Sequence, residues 1–136
     1  MAAKKIDITK YFSRNNEENG IWKELELNGT MSGIEACIYG VNSNSVNMAN
    51  EVYKKEMSEI NQIKDTKLKN EKTEVAFAKR MAGFVKDFRN KETGESLGDN
   101  GKPMTEQEII NVMFNSPIIA RAVLEIASVT ELFLEN

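Results

Sequence analysis

The chain has 136 residues, 29% charged and 40% hydrophobic, with eight glycines and two prolines. That is one globular domain's length and an ordinary composition, which excludes a low-complexity or fibrous chain. Histidine is absent and Cys37 is the single cysteine. An internal disulfide is therefore excluded, and the commonest general base and neutral metal ligand are missing.

In chain order, residues 1–20 form a polar and partly mobile segment. An isolated apolar cluster, Ile6, Ile8, Tyr11 and Phe12, is expected to make a short turn that docks on the body, and "SRNNEENG" reads as a loop. "MAAKKIDITKYF" has lysines but no apolar run behind them, so it is not a signal peptide. No stretch of 18 apolar residues is available to span a membrane.

Residues 21–136 read as one domain. "GIWKELELNG" alternates with period two: Ile21, Leu25 and Leu27 share one face, Trp22, Glu24 and Glu26 the other. "GIEACIYGV" repeats the alternation after a polar link. The two predict a hairpin over 21–41, strands Ile21–Leu27 and Ile34–Val41. Two strands are marginal alone, so another element must cover one face. Cys37 falls in the second strand and reads as packing or surface; no histidine is present to activate it.

Helices follow over about 45–90. Ser43, Asn44 or Ser45 can cap the first, because each side chain can accept from an orphan backbone N–H. Val46, Ala49, Tyr53, Met57 and Ile60 recur at steps of three and four, as do Phe77, Met81, Phe84 and Phe88. Between these stripes lies "KDTKLKNEKTE". We expect two helices, or one helix bent near Asp65–Asn70. Its lysines, Lys64, Lys67, Lys69 and Lys72, alternate with Asp65, Glu71 and Glu74, as on a solvated helix face. No aromatic platform for stacking bases accompanies them.

"NKETGESLGDNGKP", Asn90 to Pro103, makes up the main loop, 90–104. Glu95, Asp99 and Asn100 lack calcium-loop spacing and suit turns. A helical hairpin over 105–134 closes the chain. Thr105 and Glu108 have capping-box spacing, which explains Glu106 and Glu108 without catalysis. Ser116 and Pro117 then start a helix expected to run to about Leu134, apolar on most of its girth and so sandwiched. The fold class is α+β, a β-hairpin packed on a body of three to five helices.

No nucleotide-binding loop, metal cluster or nucleophile–base pair is visible, so the chain reads as a non-enzyme with no catalytic, metal or cofactor residues. Charge is uneven: residues 1–44 are net −1 (five basic, six acidic), 45–92 net +3 (eleven, eight) and 93–136 net −5 (two, seven). That asymmetry can steer a partner or pair segments within the fold, but is too weak for a nucleic-acid stripe. The apolar stripes have mutual packing as their default role. Met and Phe also suit a groove for a partner helix, which makes Phe77, Met81, Phe84, Phe88, Met113, Phe114 and Phe133 the candidate partner-binding residues.

The order of short pieces resembles the small tail assembly chaperones of long-tailed bacteriophages and prophages. The pieces are "GVNSNSV", "VKDFRNKETGESL", "MTEQEIINVM" and "SPIIARAVLEIASVTELFLEN", within 21–136. Val85, Asp87 and Phe88 stand where that family has a V-x-D-W-like step; Phe88 departs from its usual tryptophan. Thr105 and Glu108 match a helix start, Pro117 and Phe133 the ends of the final helix. The resemblance implies a protein in the bacterial host cytoplasm that binds the tape-measure protein and helps recruit tail-tube protein. It leaves open self-association and a longer frameshifted product. Two other readings stay open: a virion component such as a head–tail connector or tail-terminator subunit, and a small nucleic-acid-binding or host-directed regulator.

Overall fold

The alternating stretch at 21–27 becomes strand β1 (Ile21–Leu27), and it turns back at once into β2 (Thr30–Ile38). The computed structural model describes residues 6–135. Asn28 and Gly29 carry φ of 54° and 77°, the paired positive angles of a two-residue hairpin turn. That Asn-Gly turn makes β2 begin at Thr30 and not at Ile34. A bulge between Glu24 and Glu26 keeps Leu25 in the core.

A third strand, β3 (Val85–Asn90), lies where the sequence reads as helix. It pairs antiparallel with β2, giving a sheet in the order β1-β2-β3. The fold is α+β, with helices around an antiparallel sheet. Phe84 and Phe88 are four apart and mimic a helical stripe, yet Gly83 ends the helix and Phe88 pairs with Ala36 across the sheet. The alternation of β3 is disguised because Asp87, on the opposite face, is buried as well.

The charged middle is two helices, α2 (Asn44–Ile60) and α3 (Thr66–Ala82). Ser43, fully buried, caps α2 by accepting from Val46 N–H at 3.3 Å; Asp65 caps α3 by accepting from Leu68 N–H at 3.2 Å. The break thus falls just before Asp65. Helix α4 (Glu106–Asn115) has both hydrogen bonds of the Thr105/Glu108 capping box. Helix α5 (Pro117–Ala127) begins on the Ser116 cap, but stops seven residues short of Leu134. Ser128 folds its hydroxyl back to Leu124 C=O, and a 3-10 turn at Thr130–Phe133 drops Phe133 into the core.

Helix α5 covers β1 and β2, α4 lies against α5 and α3, and α2 rests on α3. The shared core joins Leu25, Ala36, Ile38, Phe84, Phe88, Val123 and Phe133. Residues 14–19, expected as loop, form a short helix, α1 (Arg14–Asn19). Its Glu17 is buried and accepts from the Ser13 hydroxyl (2.9 Å) and the Asn42 amide (3.1 Å). Asn16 donates to Phe133 C=O at 3.0 Å, stapling α1 to the last turn.

Candidate partner-binding surface

Five of the seven candidate residues face inward. Met81, Phe84, Phe88, Met113 and Phe133 are at most 3% exposed and belong to the common core. They are structural in this fold and leave no surface for a partner. Met81 lies in α3 and Phe88 in β3, so the spacing that reads as one helical stripe spans two elements that meet in the core. Only Phe77, at 38%, and Phe114, at 45%, reach solvent.

Other accessible apolar residues line the α2–α3 pair. Helix α2 rests mainly on α3, so it buries fully only Val46 near its start and Ile60 at its end. Met48 and Val52, one helical turn apart, remain 70% and 50% exposed. They border a groove of about 600 Å³ between α2, the end of α3 and the start of α4. Small residues Ala49, Ala76, Ala82 and Gly83 line its inner part; Met104 and Ile110 stand on the α4 side. A Cβ on Gly83 would overlap the Ala49 methyl, so this glycine allows α2 and α3 to approach closely. The Ser45 hydroxyl locks the same corner by donating to Gly83 C=O at 2.7 Å.

Charge on the rim is mixed. Arg80 donates to Asn50 at 2.8 Å and lies 5.2 Å over the Tyr53 ring. Lys79 pairs with Glu56 at 3.6 Å. Lys86 is exposed beside the groove and Glu106 sits opposite on α4. Burial pushes the Tyr39 phenol upward, helped by the nearby Cys37 and Glu18, so the wall it contributes is a neutral hydroxyl near neutral pH.

No family model, curated protein or solved structure matches this chain. Among the described residues, no group of three or more His, Cys, Asp or Glu is placed to hold a metal ion. Glu95 and Asp99 lie in the exposed loop, and Glu106 and Glu108 act at the α4 start. Cys37 is buried, and desolvation raises its thiol pKa above the usual value, against the pull of Lys86 and Arg89. The thiol stays neutral, which is the opposite of nucleophile activation.

The sequence motif around Asp87 has a structural meaning. One Asp87 oxygen accepts from its neighbour Phe88 N–H (2.9 Å), the Ser96 hydroxyl (2.9 Å) and Met104 N–H (3.0 Å). It thereby ties the middle and the end of the 91–104 loop to the sheet and sets the α4 wall of the groove. On the same sheet face Arg89 pairs with Glu35 at 2.8 Å and stacks 3.8 Å over Trp22.

No single helix among the described residues is long and apolar enough to cross a membrane. Helices α4 and α5 pass such a test only together, across a 108° bend. Sequence reasoning missed Met48 and Val52 because the stripe Val46, Ala49, Tyr53 drew attention to the other side of α2. Their i, i+4 spacing was the available signal.

Proposed function

We propose that this protein is a non-enzymatic assembly chaperone of the phage-tail kind, which holds a helical segment of the tape-measure protein and helps recruit tail-tube protein in the bacterial host cytoplasm. The observation that carries the reading is the α2–α3–α4 groove. It is floored by small residues and edged by Met48 and Val52, both exposed on α2. An amphipathic helix binds such a groove through anchors at i, i+3/i+4 and i+7. Methionine at the edge adapts to anchors of different shape, as a long repetitive partner requires. The resemblance in the order of sequence pieces is the reason for naming the tape-measure protein as partner, and the absence of histidine agrees with a binding role.

The test is co-expression with a phage tape-measure protein. Co-purification is expected, and should be lost in a Met48→Asp/Val52→Asp variant whose melting temperature is unchanged. No co-purification, or capture indifferent to both substitutions, refutes the reading. A ring of fixed mass in light scattering would instead indicate a connector or terminator subunit. Polyanion binding that collapses with salt would indicate the nucleic-acid regulator.

A further inference from the structure

The groove beside Met48 continues along the α2–α3 pair. Glu56 and Lys79 line it, and the same two residues line a second hollow of about 660 Å³ farther along. Helices α2 and α3 run antiparallel: Ser45 meets Gly83, Asn50 meets Arg80 and Glu56 meets Lys79. On α2, Met48, Val52, Glu56 and Glu59, with Ile63 just past its end, follow at steps of four, four, three and four. On α3, Leu68, Lys72, Val75, Lys79 and Ala82 follow at steps of four, three, four and three. Each set is one stripe of its helix, and the two stripes wall a single trough. From Leu68 to Ala82 that trough is about 21 Å long at 1.5 Å per residue.

Only side chains divide it. The Lys79 ammonium lies 3.6 Å from the Glu56 carboxylate, and both side chains reach solvent. Met48 and Val52 stand on one side of this pair. Val75 and Leu68, 40% and 42% exposed, stand on the other with Ile63. The trough is therefore apolar toward both ends and ionic at its middle.

Both long walls are helices whose backbone groups are paired internally. An extended segment would find no backbone partners along them, whereas a helix brings its own hydrogen bonds. A third helix laid between two antiparallel ones is ordinary bundle packing. The ion pair constrains that helix. An apolar side chain over Glu56 and Lys79 would strip water from two charges and replace none of their hydrogen bonds. A polar side chain there would keep them satisfied.

We propose that a single helix of about four turns occupies both hollows, with apolar anchors toward its two ends and a hydrogen-bonding side chain at the middle of the same stripe. Leu68, Val75 and Ile63 form the half of the binding site beyond the groove. The inference rests on the binding reading above and specifies which kind of segment that partner presents.

The test begins with the co-purified complex with a phage tape-measure protein. Limited proteolysis followed by mass spectrometry gives the protected segment, and a synthetic peptide of that segment is titrated calorimetrically. Protection should extend over about fourteen residues or more, apolar on both sides of a polar position. Met48→Asp/Val52→Asp and, separately, Leu68→Gln/Val75→Gln should each weaken the peptide by about tenfold or more. All four positions are at least 40% exposed, so melting temperatures should stay at the wild-type value. Leucine at the peptide's middle polar position should weaken binding to wild type and be tolerated by Glu56→Met/Lys79→Met. Loss in the Met48/Val52 variant alone, or in the Leu68/Val75 variant alone, confines the partner to one hollow and overturns the inference while the binding reading stands. A peptide whose middle leucine binds wild type as well as the original does the same. No captured protein, or indifference to both variants, refutes the binding reading and the inference with it.

Discussion

Replacing Asp87 tests whether one carboxylate organises the loop that builds the groove wall. Asp87 is 8% exposed, and one of its oxygens accepts from Phe88 N–H, Ser96 hydroxyl and Met104 N–H. The Phe88 bond is local; the other two tie the middle and the end of the 91–104 loop to the sheet. A hydrogen bond to a charged group contributes about 1.5–3 kcal/mol, and truncation strands the donors. Removing the carboxylate also removes the cost of burying it, so the net loss for Asp87→Ala is about 3 kcal/mol. For a chain of this length that is roughly a 12 °C drop in melting temperature. Asp87→Asn keeps an acceptor oxygen and should lose about 1 kcal/mol. Thermal denaturation followed by circular dichroism measures both. Amide exchange gives the local readout: Met104 and Leu97 N–H should lose protection in Asp87→Ala, while Tyr39 N–H, bonded to Phe84 C=O outside the loop, should keep it. A melting temperature within about 2 °C of wild type, or unchanged Met104 protection, refutes the reasoning.

Gly83→Val should separate α2 from α3, because a side chain there meets the Ala49 methyl; we expect about 2–4 kcal/mol of destabilisation in urea unfolding and loss of the groove floor. Cys37 should react with a thiol reagent only after denaturation, and fast native labelling at neutral pH would contradict its burial. Glu24 is held below the usual carboxylate range by the Lys91 ammonium and then by Gly33 N–H; Lys91 is raised by Glu24. The Glu24 contribution is present above the ordinary 4.5 and fades as pH falls through its lowered folded value. The Lys91 contribution is present below 10.5 and fades as pH rises through its raised one. Because the pair is exposed, a Glu24→Gln variant should differ from wild type in denaturant midpoint only at low salt and only inside that window.

Local rules wrote much of the fold into the chain. Alternation at Ile21–Leu27, the Thr105/Glu108 capping box, the Ser116–Pro117 helix start and the capping residues at Ser43–Ser45 each depend on neighbours a few residues away. The α+β class follows from them. The third strand did not, because a buried Asp87 beside Phe88 breaks the inside–outside alternation, and its reason for burial is a loop that arrives nine to seventeen residues later. The end of α5 was hidden likewise: helix-compatible residues continue past Ala127, but Phe133 finds a better site in the core beneath α1 than on another helical turn.

Which apolar stripe faces inward was a tertiary decision too. Phe84, Phe88, Met113 and Phe133 look as available on paper as Met48 and Val52. The sheet and α5 enclose the first group, whereas α2, lying mainly against α3, leaves the second uncovered. Periodicity states that a face is apolar; only the arrangement of the other elements determines whether that face meets protein or water.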